Sequence, residues 1–168
     1  MIQRVKKCFV EGSFDSPSAL RYKSQSVSIP FPVMAATILI ADDYEDNREL
    51  LRLLLAAADY QVREAANGSE CLAMAKEQPP DLIMMDLSMP VLDGWGVFRA
   101  LKTDERTAAI PCVAVTAYAD SDRHRALKIG FSAYLSKPFR SGELLETVER
   151  LLSDHKTSVQ TPETTSER

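Results

Sequence analysis

The sequence predicts an α/β fold in which five strand–helix repeats build a doubly wound parallel sheet with helices on both faces. Between residues 37 and 152, short apolar runs alternate with longer amphipathic stretches. Three of the short runs are apolar almost throughout, which is typical of strands that are covered on both faces. Consecutive strand–helix units form parallel sheets with right-handed crossovers, so the sequence indicates a (βα)5 arrangement.

The predicted strands follow one another at regular intervals. The first, third and fourth are the apolar runs. The second alternates between polar and apolar residues, which suits a strand near an edge of the sheet. In chain order the five segments are TILIA (37–41), QVREA (61–65), DLIMMD (81–86), PCVAVTA (111–117) and SAYLS (132–136).

Helical patterns separate these strands. A first helix over residues 46–58 is predicted because four leucines share one of its faces, Leu50, Leu51, Leu54 and Leu55. Leu53 falls off this face; it is either an exposed leucine without consequence or a contact for the helix bundle of a partner. Asp93 and Gly94 mark a turn and the start of the third helix. The remaining helices are predicted over residues 68–77, 93–102, 120–129 and 141–152.

Composition excludes several classes of protein. The chain has 168 residues, 45% of them hydrophobic, and a formal net charge of -4, as expected for one soluble globular domain. The acidic charge gives no support to direct binding of nucleic acid. No apolar run approaches the roughly 20 residues that span a membrane. The cysteines are odd in number and far apart, which predicts reduced structural thiols in a cytoplasmic protein: Cys8, Cys71 and Cys112.

The two ends of the chain differ from the middle. Residues 1–36 are basic, rich in serine and weakly periodic, which predicts a disordered N-terminal arm, unless translation begins at Met34. This arm has basic residues near its start but no apolar segment, so a secretory signal is not expected. Residues 153–168 are polar and predict a flexible C-terminal tail, which leaves residues 37–152 as the folded domain.

Polar side chains stand where the predicted strands end. Asp42 and Asp43 follow the first strand, and Asp86 ends the third. Thr116 ends the fourth strand, and Lys137 follows the fifth. Ligands of open doubly wound sheets bind beyond the carboxyl ends of the strands, so these five side chains are predicted to converge on one site.

The residue types of this site suit phosphoryl chemistry. Two carboxylates about 4 Å apart repel by about 4 kcal/mol at an effective dielectric near 20, and Mg²⁺ relieves this because it prefers oxygen ligands. Lys137 supplies a cation for a phosphoryl oxygen, and Thr116 supplies a hydroxyl. No phosphate-cradling glycine loop occurs, so a nucleotide site is not predicted. A carboxylate can attack phosphorus to form an aspartyl phosphate, and Asp86, central in the sheet, is the candidate.

The segments ADD, MMDLSMPVLDG, VAVTAYA and YLSKPF resemble the hallmark segments of response-regulator receiver domains, and the resemblance covers residues 37–152. It implies a flavodoxin-like sheet with strand order 2-1-3-4-5, in a stand-alone receiver of the chemotaxis or relay type. It also implies that Asp86 accepts a phosphoryl group from a histidine kinase or a histidine phosphotransfer protein. The implied metal is Mg²⁺, held by Asp42, Asp43, Asp86 and the backbone carbonyl of Ser88.

The resemblance further implies how the phosphoryl group is bound and sensed. Thr116 and the backbone amide of Ala117 would bind it, Lys137 would pair with it, and the Lys137–Pro138 bond would be cis. Tyr134 resembles the rotating aromatic residue of the family, which would swing inward as Thr116 moves; plain packing of Tyr134 is the alternative. This population shift would remodel the surface formed by the fourth helix, fifth strand and fifth helix.

Two positions depart from the common forms of the family. Ser88 and Tyr118 offer neither a carboxylate nor an amide to orient an attacking water. We therefore expect slow self-dephosphorylation. Output is expected to pass to an unknown protein by contact or by phosphorelay, because residues 1–36 and 153–168 leave no room for an output domain.

Two alternative functions are compatible with parts of the sequence. A phosphatase or phosphotransferase with an aspartate nucleophile, acting on small molecules, is the main alternative. Enzymes of that kind typically carry a D-x-D pattern at the nucleophile, in which the second Asp acts as acid and base. Here Asp86 is followed by Leu87 and Ser88, so the second Asp is absent. A non-phosphorylated interaction module is disfavoured by the intact acidic residues. The expected protein is a phosphoacceptor that takes part in its own phosphorylation and dephosphorylation rather than an enzyme acting on other substrates.

Overall fold

The computed structural model describes residues 35–117 and 120–159, which belong to one compact unit of the chain. Five strands alternate with five helices in this region. Their bounds are β1 Thr37–Ala41, α1 Glu45–Ala56, β2 Gln61–Ala65, α2 Gly68–Glu77, β3 Leu82–Met85, α3 Gly94–Lys102, β4 Cys112–Thr116, α4 Asp120–Ile129, β5 Ala133–Ser136 and α5 Ser141–Val159.

The five strands form one parallel sheet in the order β2-β1-β3-β4-β5. This confirms the predicted doubly wound (βα)5 fold and its strand order. Every residue of β3 and β4 is buried, as the apolar runs predict, while β2 lies at the edge with most of its residues partly exposed. The chain crosses from one side of β1 to the other between β2 and β3, so the topological switch point lies at the end of β1.

The hydrophobic core has two parts because successive side chains of a strand point to opposite faces. Leu39 and Ala41 pack in one cluster together with residues of α2 and α3. Ile38 and Ile40 pack in the other cluster with residues of α1 and α5. Both faces of the sheet are therefore covered, and the carboxyl ends of the strands are left to form a site.

Helix α1 differs in one respect from the predicted leucine face. Leu51 and Leu55 are buried and Leu54 packs against the core, but Leu50 is 50% exposed. Leu50 lines a cavity together with Lys137 and Pro138, so it lies at the rim of the site. Leu53 is 54% exposed, in agreement with its place off the apolar face.

Several predictions concern the ends of elements. Asp93 begins α3 as its N-cap and accepts a hydrogen bond from the backbone N–H of Gly96 at 2.7 Å, which confirms the predicted helix start. Helix α5 continues to Val159, so it includes the first residues of the segment 153–168 that the sequence assigns to a flexible tail.

Some predictions fall outside the described residues: those on the arm up to residue 34, which includes Cys8, on Tyr118 and on the chain beyond Val159. In the described part of the chain, no helix combines the length and apolar character needed to cross a membrane.

Candidate functional site

Three strand ends bring two carboxylates and an amine together at one edge of the sheet. The ammonium Nζ of Lys137, which follows β5, donates to Asp42 Oδ2 at 2.5 Å and to Asp86 Oδ2 at 2.8 Å. Asp42 follows β1 and Asp86 follows β3, so residues far apart in sequence meet as the topology predicts. The Lys137 side chain therefore bridges the two acids as a shared counterion.

Asp42 is 1% exposed and its carboxylate is held by several donors. Oδ1 accepts from the backbone N–H of Tyr44 at 2.9 Å and from Asn47 Nδ2 at 3.0 Å, and Asn47 Nδ2 also lies 3.2 Å from Oδ2. Arg48 donates from Nη1 to the backbone carbonyl of Asp42 at 2.8 Å. The first turns of α1 thus fix both the backbone and the side chain of this acid.

Asp86 is held from β1 and from its own loop. Its backbone N–H donates to the Ala41 carbonyl at 2.8 Å, and its Oδ1 accepts from the backbone N–H of Ser88 at 2.9 Å. The side chain is almost buried, with the residue 7% exposed. Gly94 allows α3 to begin against this loop, because a Cβ at that position would lie 2.3 Å from the Asp86 carbonyl oxygen.

Asp43 completes a carboxylate cluster. Its Oδ1 is buried and has no hydrogen-bond partner in the described structure. One oxygen from each of Asp42, Asp43 and Asp86 can be chosen so that all three lie within 4.8 Å of one another. Two carboxylates at that separation repel by about 3–4 kcal/mol at an effective dielectric near 20, and an unpaired buried oxygen adds a further cost. A hard divalent cation would satisfy both, so the donor set fits Mg²⁺.

The pKa of Lys137 reflects the balance at this site. Burial alone would lower the pKa of the amine, but hydrogen bonds and charge interactions with Asp42 and Asp86 outweigh burial and raise it. Lys137 is therefore an ammonium at neutral pH. Its positive charge offsets part of the repulsion among the three carboxylates.

The end of β4 lies beside Lys137. The backbone N–H of Lys137 donates to the Thr116 carbonyl at 2.9 Å, next to the paired residues Thr116 and Ser136. Thr116 is 1% exposed, whereas Ala117 at the start of the following loop is exposed. The Lys137–Pro138 peptide bond is cis.

Tyr134 lies in β5 and belongs to the hydrophobic core. It is 8% exposed and belongs to the core cluster that also contains Ala126 of α4 and Phe131. The ring therefore already occupies a buried position in this structure. A buried ring is what plain packing of Tyr134 predicts, and it occurs here while Lys137 still pairs with Asp86.

Two cavities flank the carboxylates. One of about 410 Å³ lies between the loop after β3 and α4, where the Arg125 guanidinium stacks over Trp95 at 4.5 Å from the ring centroid. The other, of about 340 Å³, is more apolar and lies between α1 and the loop after β5. It is lined by Asn47, Leu50, Leu51, Lys137, Pro138 and Phe139.

Sequence reasoning missed Asn47, Arg48 and Gly94. The signal that points to Asn47 and Arg48 is their place on the helix that directly follows the site-bearing strand, since the first turn of such a helix faces the strand end. The sequence points less clearly to Gly94. Glycine often occurs at the start of a helix even where no other backbone lies close to it.

The fold and this site together define a phosphoacceptor signalling domain. The chain belongs to the response regulator receiver domain family, because a model of that family, described as "Response regulator receiver domain", matches residues 38–149. Members of this family act in two-component signalling, generally bind Mg²⁺ in an acidic pocket and interact with histidine kinases or phosphotransfer proteins. The alternative of a phosphatase or phosphotransferase acting on small molecules is not favoured by these matches.

Individual relatives agree with this assignment. The polar-differentiation response regulator DivK of Brucella anthropi is 38% identical over 122 residues, which are 72% of this chain and 99% of DivK. The chemotaxis response regulator CheY4 of Vibrio cholerae superposes with a TM-score of 0.66 at 29% identity, over 70% of this chain and 99% of CheY4. The receiver domain of the sensor histidine kinase PA1611 of Pseudomonas aeruginosa, whose structure contains a magnesium ion coordinated in the active-site cleft, gives a TM-score of 0.67 at 32% identity over 71% and 99% of the two chains.

Proposed function

We propose that Asp86 is the phosphoacceptor of this receiver domain and that its phosphorylation requires Mg²⁺. The observation that carries the proposal is the pair of contacts from Lys137 to Asp42 and Asp86, beside a buried Asp43 oxygen that has no hydrogen-bond partner among the described residues. One ammonium and three carboxylates in one cluster carry a net negative charge of the size that a divalent cation balances. A bound Mg²⁺ would keep several waters that phosphoryl oxygens can replace, so the same ion would also position the phosphoryl group.

The proposed metal ligands are Asp42, Asp43, Asp86 and the backbone carbonyl of Ser88. When bound, Mg²⁺ would neutralise the charge of the carboxylates and of the incoming phosphoryl oxygens. The protein holds the acids in place beforehand, through the Tyr44 N–H on Asp42 and the Ser88 N–H on Asp86. Little movement of the acids is then needed for the cluster to accept the ion.

In the transfer step a carboxylate oxygen of Asp86 forms a bond to phosphorus while the bond from phosphorus to a donor histidine nitrogen breaks. The histidine, in a kinase or a histidine phosphotransfer protein, keeps the electron pair of the broken bond. Lys137 turns from Asp86 to a phosphoryl oxygen, and the Thr116 hydroxyl and Ala117 N–H donate to the others. Charge neutralisation and positioning are the main requirements of such a transfer.

Signalling follows from the position of Thr116 and Tyr134. A phosphoryl group beside Thr116 adds charge and acceptor oxygens at the end of β4, and Tyr134 lies on the neighbouring strand β5. We propose that the phosphoryl group stabilises one arrangement of the α4-β5-α5 surface, which an unknown partner protein recognises. Onward transfer to another phosphotransfer protein is the second route for output.

The lifetime of the phosphoryl group is proposed to be long. Ser88 is exposed beside Asp86, but its side chain is a neutral hydroxyl rather than a carboxylate or amide that would orient an attacking water. Loss of the phosphoryl group within seconds, in a phosphate-release assay without partners, would contradict this.

Acetyl phosphate tests the proposal without knowledge of the kinase. With Mg²⁺, the intact mass of the wild-type chain is expected to rise by one phosphoryl group, and chelation of the metal is expected to prevent this. Asp86→Asn is expected to stay unmodified. Asp59→Asn makes the same chemical change at an exposed residue with φ of 63°, which asparagine tolerates, and is expected to behave as wild type. An unmodified wild-type chain would count against the proposal.

A further inference from the structure

Asn47 is a site residue that no step of the proposed reaction uses. It lies in the first turn of α1 and its side chain is half-buried at the edge of the carboxylate cluster. Its amide Nδ2 lies 3.0 Å from Asp42 Oδ1 and 3.2 Å from Asp42 Oδ2, so it faces both oxygens of that carboxylate. Among the residues that the structure describes, Asn47 and Lys137 are the two whose side chains donate to the Asp42 carboxylate.

These two donors differ in what happens to them during the proposed reaction. Lys137 is shared between Asp42 and Asp86, and it is the group that turns to the phosphoryl oxygens. Asp42, at 1% exposure, cannot replace that lost donor with bulk water. It then depends on the Tyr44 N–H and on the amide of Asn47.

The chemical type of this donor matters as well. A second cation at position 47 would compete with a metal ion for the carboxylates. An amide stabilises the orientation of Asp42 while it leaves the charge of the cluster unchanged. Arg48, the neighbouring cation, donates instead to the backbone carbonyl of Asp42 and pairs with Glu64 at 3.7 Å, so its charge is directed away from the carboxylate.

We infer that Asn47 is a positioning residue for phosphorylation of Asp86, which holds the Asp42 carboxylate in its metal-binding orientation both before and after Lys137 turns to the phosphoryl group. This inference rests on the proposed function of the site. It assigns to α1 a part in building the metal centre, in addition to its packing against the sheet. Partners that orient a metal ligand in this way typically contribute 10–100-fold to metal affinity or activity.

Mg²⁺ affinity, measured by isothermal titration calorimetry, tests this inference without any phosphoryl donor. Asn47→Leu keeps the branched shape and the number of side-chain heavy atoms but has no donor, and it is expected to weaken Mg²⁺ binding by about tenfold or more. Asn47→Gln keeps the amide and is expected to recover part of the loss. If Asn47 only stabilised the fold, the Leu and Gln variants would be expected to bind Mg²⁺ with similar affinity.

Asn67 provides the matched control. It is the N-cap of α2, where its side chain accepts from the Glu70 N–H at 2.9 Å, away from the carboxylates. Asn67→Ala is expected to lower the urea midpoint of unfolding through loss of the cap and to keep wild-type Mg²⁺ affinity. Urea unfolding of every variant shows that each is folded in the calorimeter.

The outcomes separate this inference from the proposed function. A wild-type chain that gains one phosphoryl group at Asp86, together with an Asn47→Leu affinity within twofold of wild type, would overturn the role of Asn47 and leave the proposed function standing. A wild-type chain that gains no phosphoryl group would overturn both. Tenfold weaker binding in Asn47→Leu, with partial recovery in Asn47→Gln, supports the inference.

Discussion

Lys137 Nζ lies 2.8 Å from Asp86 Oδ2 and donates to Asp42 through the same ammonium group. Two buried acids on different strands thus share one cation. Lys137 is also the proposed partner of the phosphoryl group. It therefore lies next to the phosphoacceptor before any phosphoryl group has bound. The stability of the fold and the chemistry of the site should therefore respond to the same residue.

Removal of this charge should destabilise the protein when no metal is present. Lys137→Met leaves Asp42 and Asp86 as buried acids without their shared cation, and the free energy of unfolding at neutral pH is expected to fall by about 3 kcal/mol. Added Mg²⁺ should restore part of the loss, because the ion binds the folded state. Urea unfolding with and without Mg²⁺ measures both effects.

Lys128→Met removes an exposed lysine of α4 and serves as the control for the loss of charge. It is expected to change the free energy of unfolding by less than about 0.5 kcal/mol. A Lys137→Met protein as stable as wild type in the absence of Mg²⁺ would contradict the role of the bridge.

The contribution of Lys137 should disappear at high pH. Its pKa in the folded protein lies above the ordinary value of 10.5, so its ionised form is favoured by folding. The stability it contributes is then complete below the unfolded pKa of 10.5 and is lost as the pH rises through the higher folded value. The difference in unfolding free energy between wild type and Lys137→Met should be constant from neutral pH to the unfolded pKa of 10.5. Above that pH the difference should become smaller.

Comparison of the two proteins is needed because other groups titrate in the same range. Burial raises the pKa of Tyr60, and that of the Cys71 thiol to about 12, in both proteins. Their effects cancel in the difference. If the difference in unfolding free energy between wild type and Lys137→Met disappeared between about pH 7 and pH 9, a group other than Lys137 would be the source of the difference.

Gly94 should be indispensable because of its close approach to the phosphoacceptor loop. In Gly94→Ala the new Cβ would meet the Asp86 carbonyl oxygen at 2.3 Å and the Leu87 Cα at 2.9 Å, and neither backbone atom can give way without moving Asp86. We expect a loss of about 2 kcal/mol or more in unfolding free energy and slower phosphorylation by acetyl phosphate.

Gly142 gives the opposite expectation for the same substitution. It lies in α5, and a Cβ there meets nothing within 4 Å. Gly142→Ala should stabilise the protein by about 0.5–1 kcal/mol because alanine is the better helix former, and it should leave phosphorylation unchanged. If both alanine variants had similar effects, the close contact at Gly94 would not be the cause.

The two described cysteines should be inert in the native protein. Cys71 and Cys112 are fully buried, and burial raises the pKa of their thiols to about 12 and about 11. Since the thiolate is the reactive form, neither should react with Ellman's reagent at about pH 8. In a Cys8→Ser background, two thiols should react in urea and none without it; rapid reaction of the native protein would contradict their burial.

The sequence predicts the convergence of Asp42, Asp86 and Lys137 because parallel strands all present their carboxyl ends at one edge. That rule depends on topology alone, so no side-chain detail is needed. Apolar periodicity likewise identifies α1, but it gives only the direction of a side chain and not what lies opposite it. Leu50 belongs to the predicted apolar face and is half exposed, whereas its neighbour Leu51 is buried.

The hydrogen bonds inside the site are the part that the sequence does not reveal. Asn47 and Asp46 are neighbours on a polar helix start, and only the three-dimensional arrangement shows that Asn47 contacts Asp42. The buried ring of Tyr134 is a similar case, since alternation along β5 gives the face of the sheet but not whether the ring packs with Ala126 and Phe131. Such features depend on how neighbouring elements pack, which local patterns do not encode.

Chemical mapping of the phosphoryl group tests the central claim most directly. Borohydride reduces an aspartyl phosphate to homoserine, which changes the mass of a single residue. After treatment with acetyl phosphate and Mg²⁺, the tryptic peptide of residues 77–99, which holds Asp81, Asp86 and Asp93, can be sequenced by mass spectrometry. Homoserine at position 86, and at neither of the other two acids, is the predicted result. Homoserine at another position, or a peptide without homoserine from a protein that has gained phosphoryl mass, would contradict the assignment of Asp86.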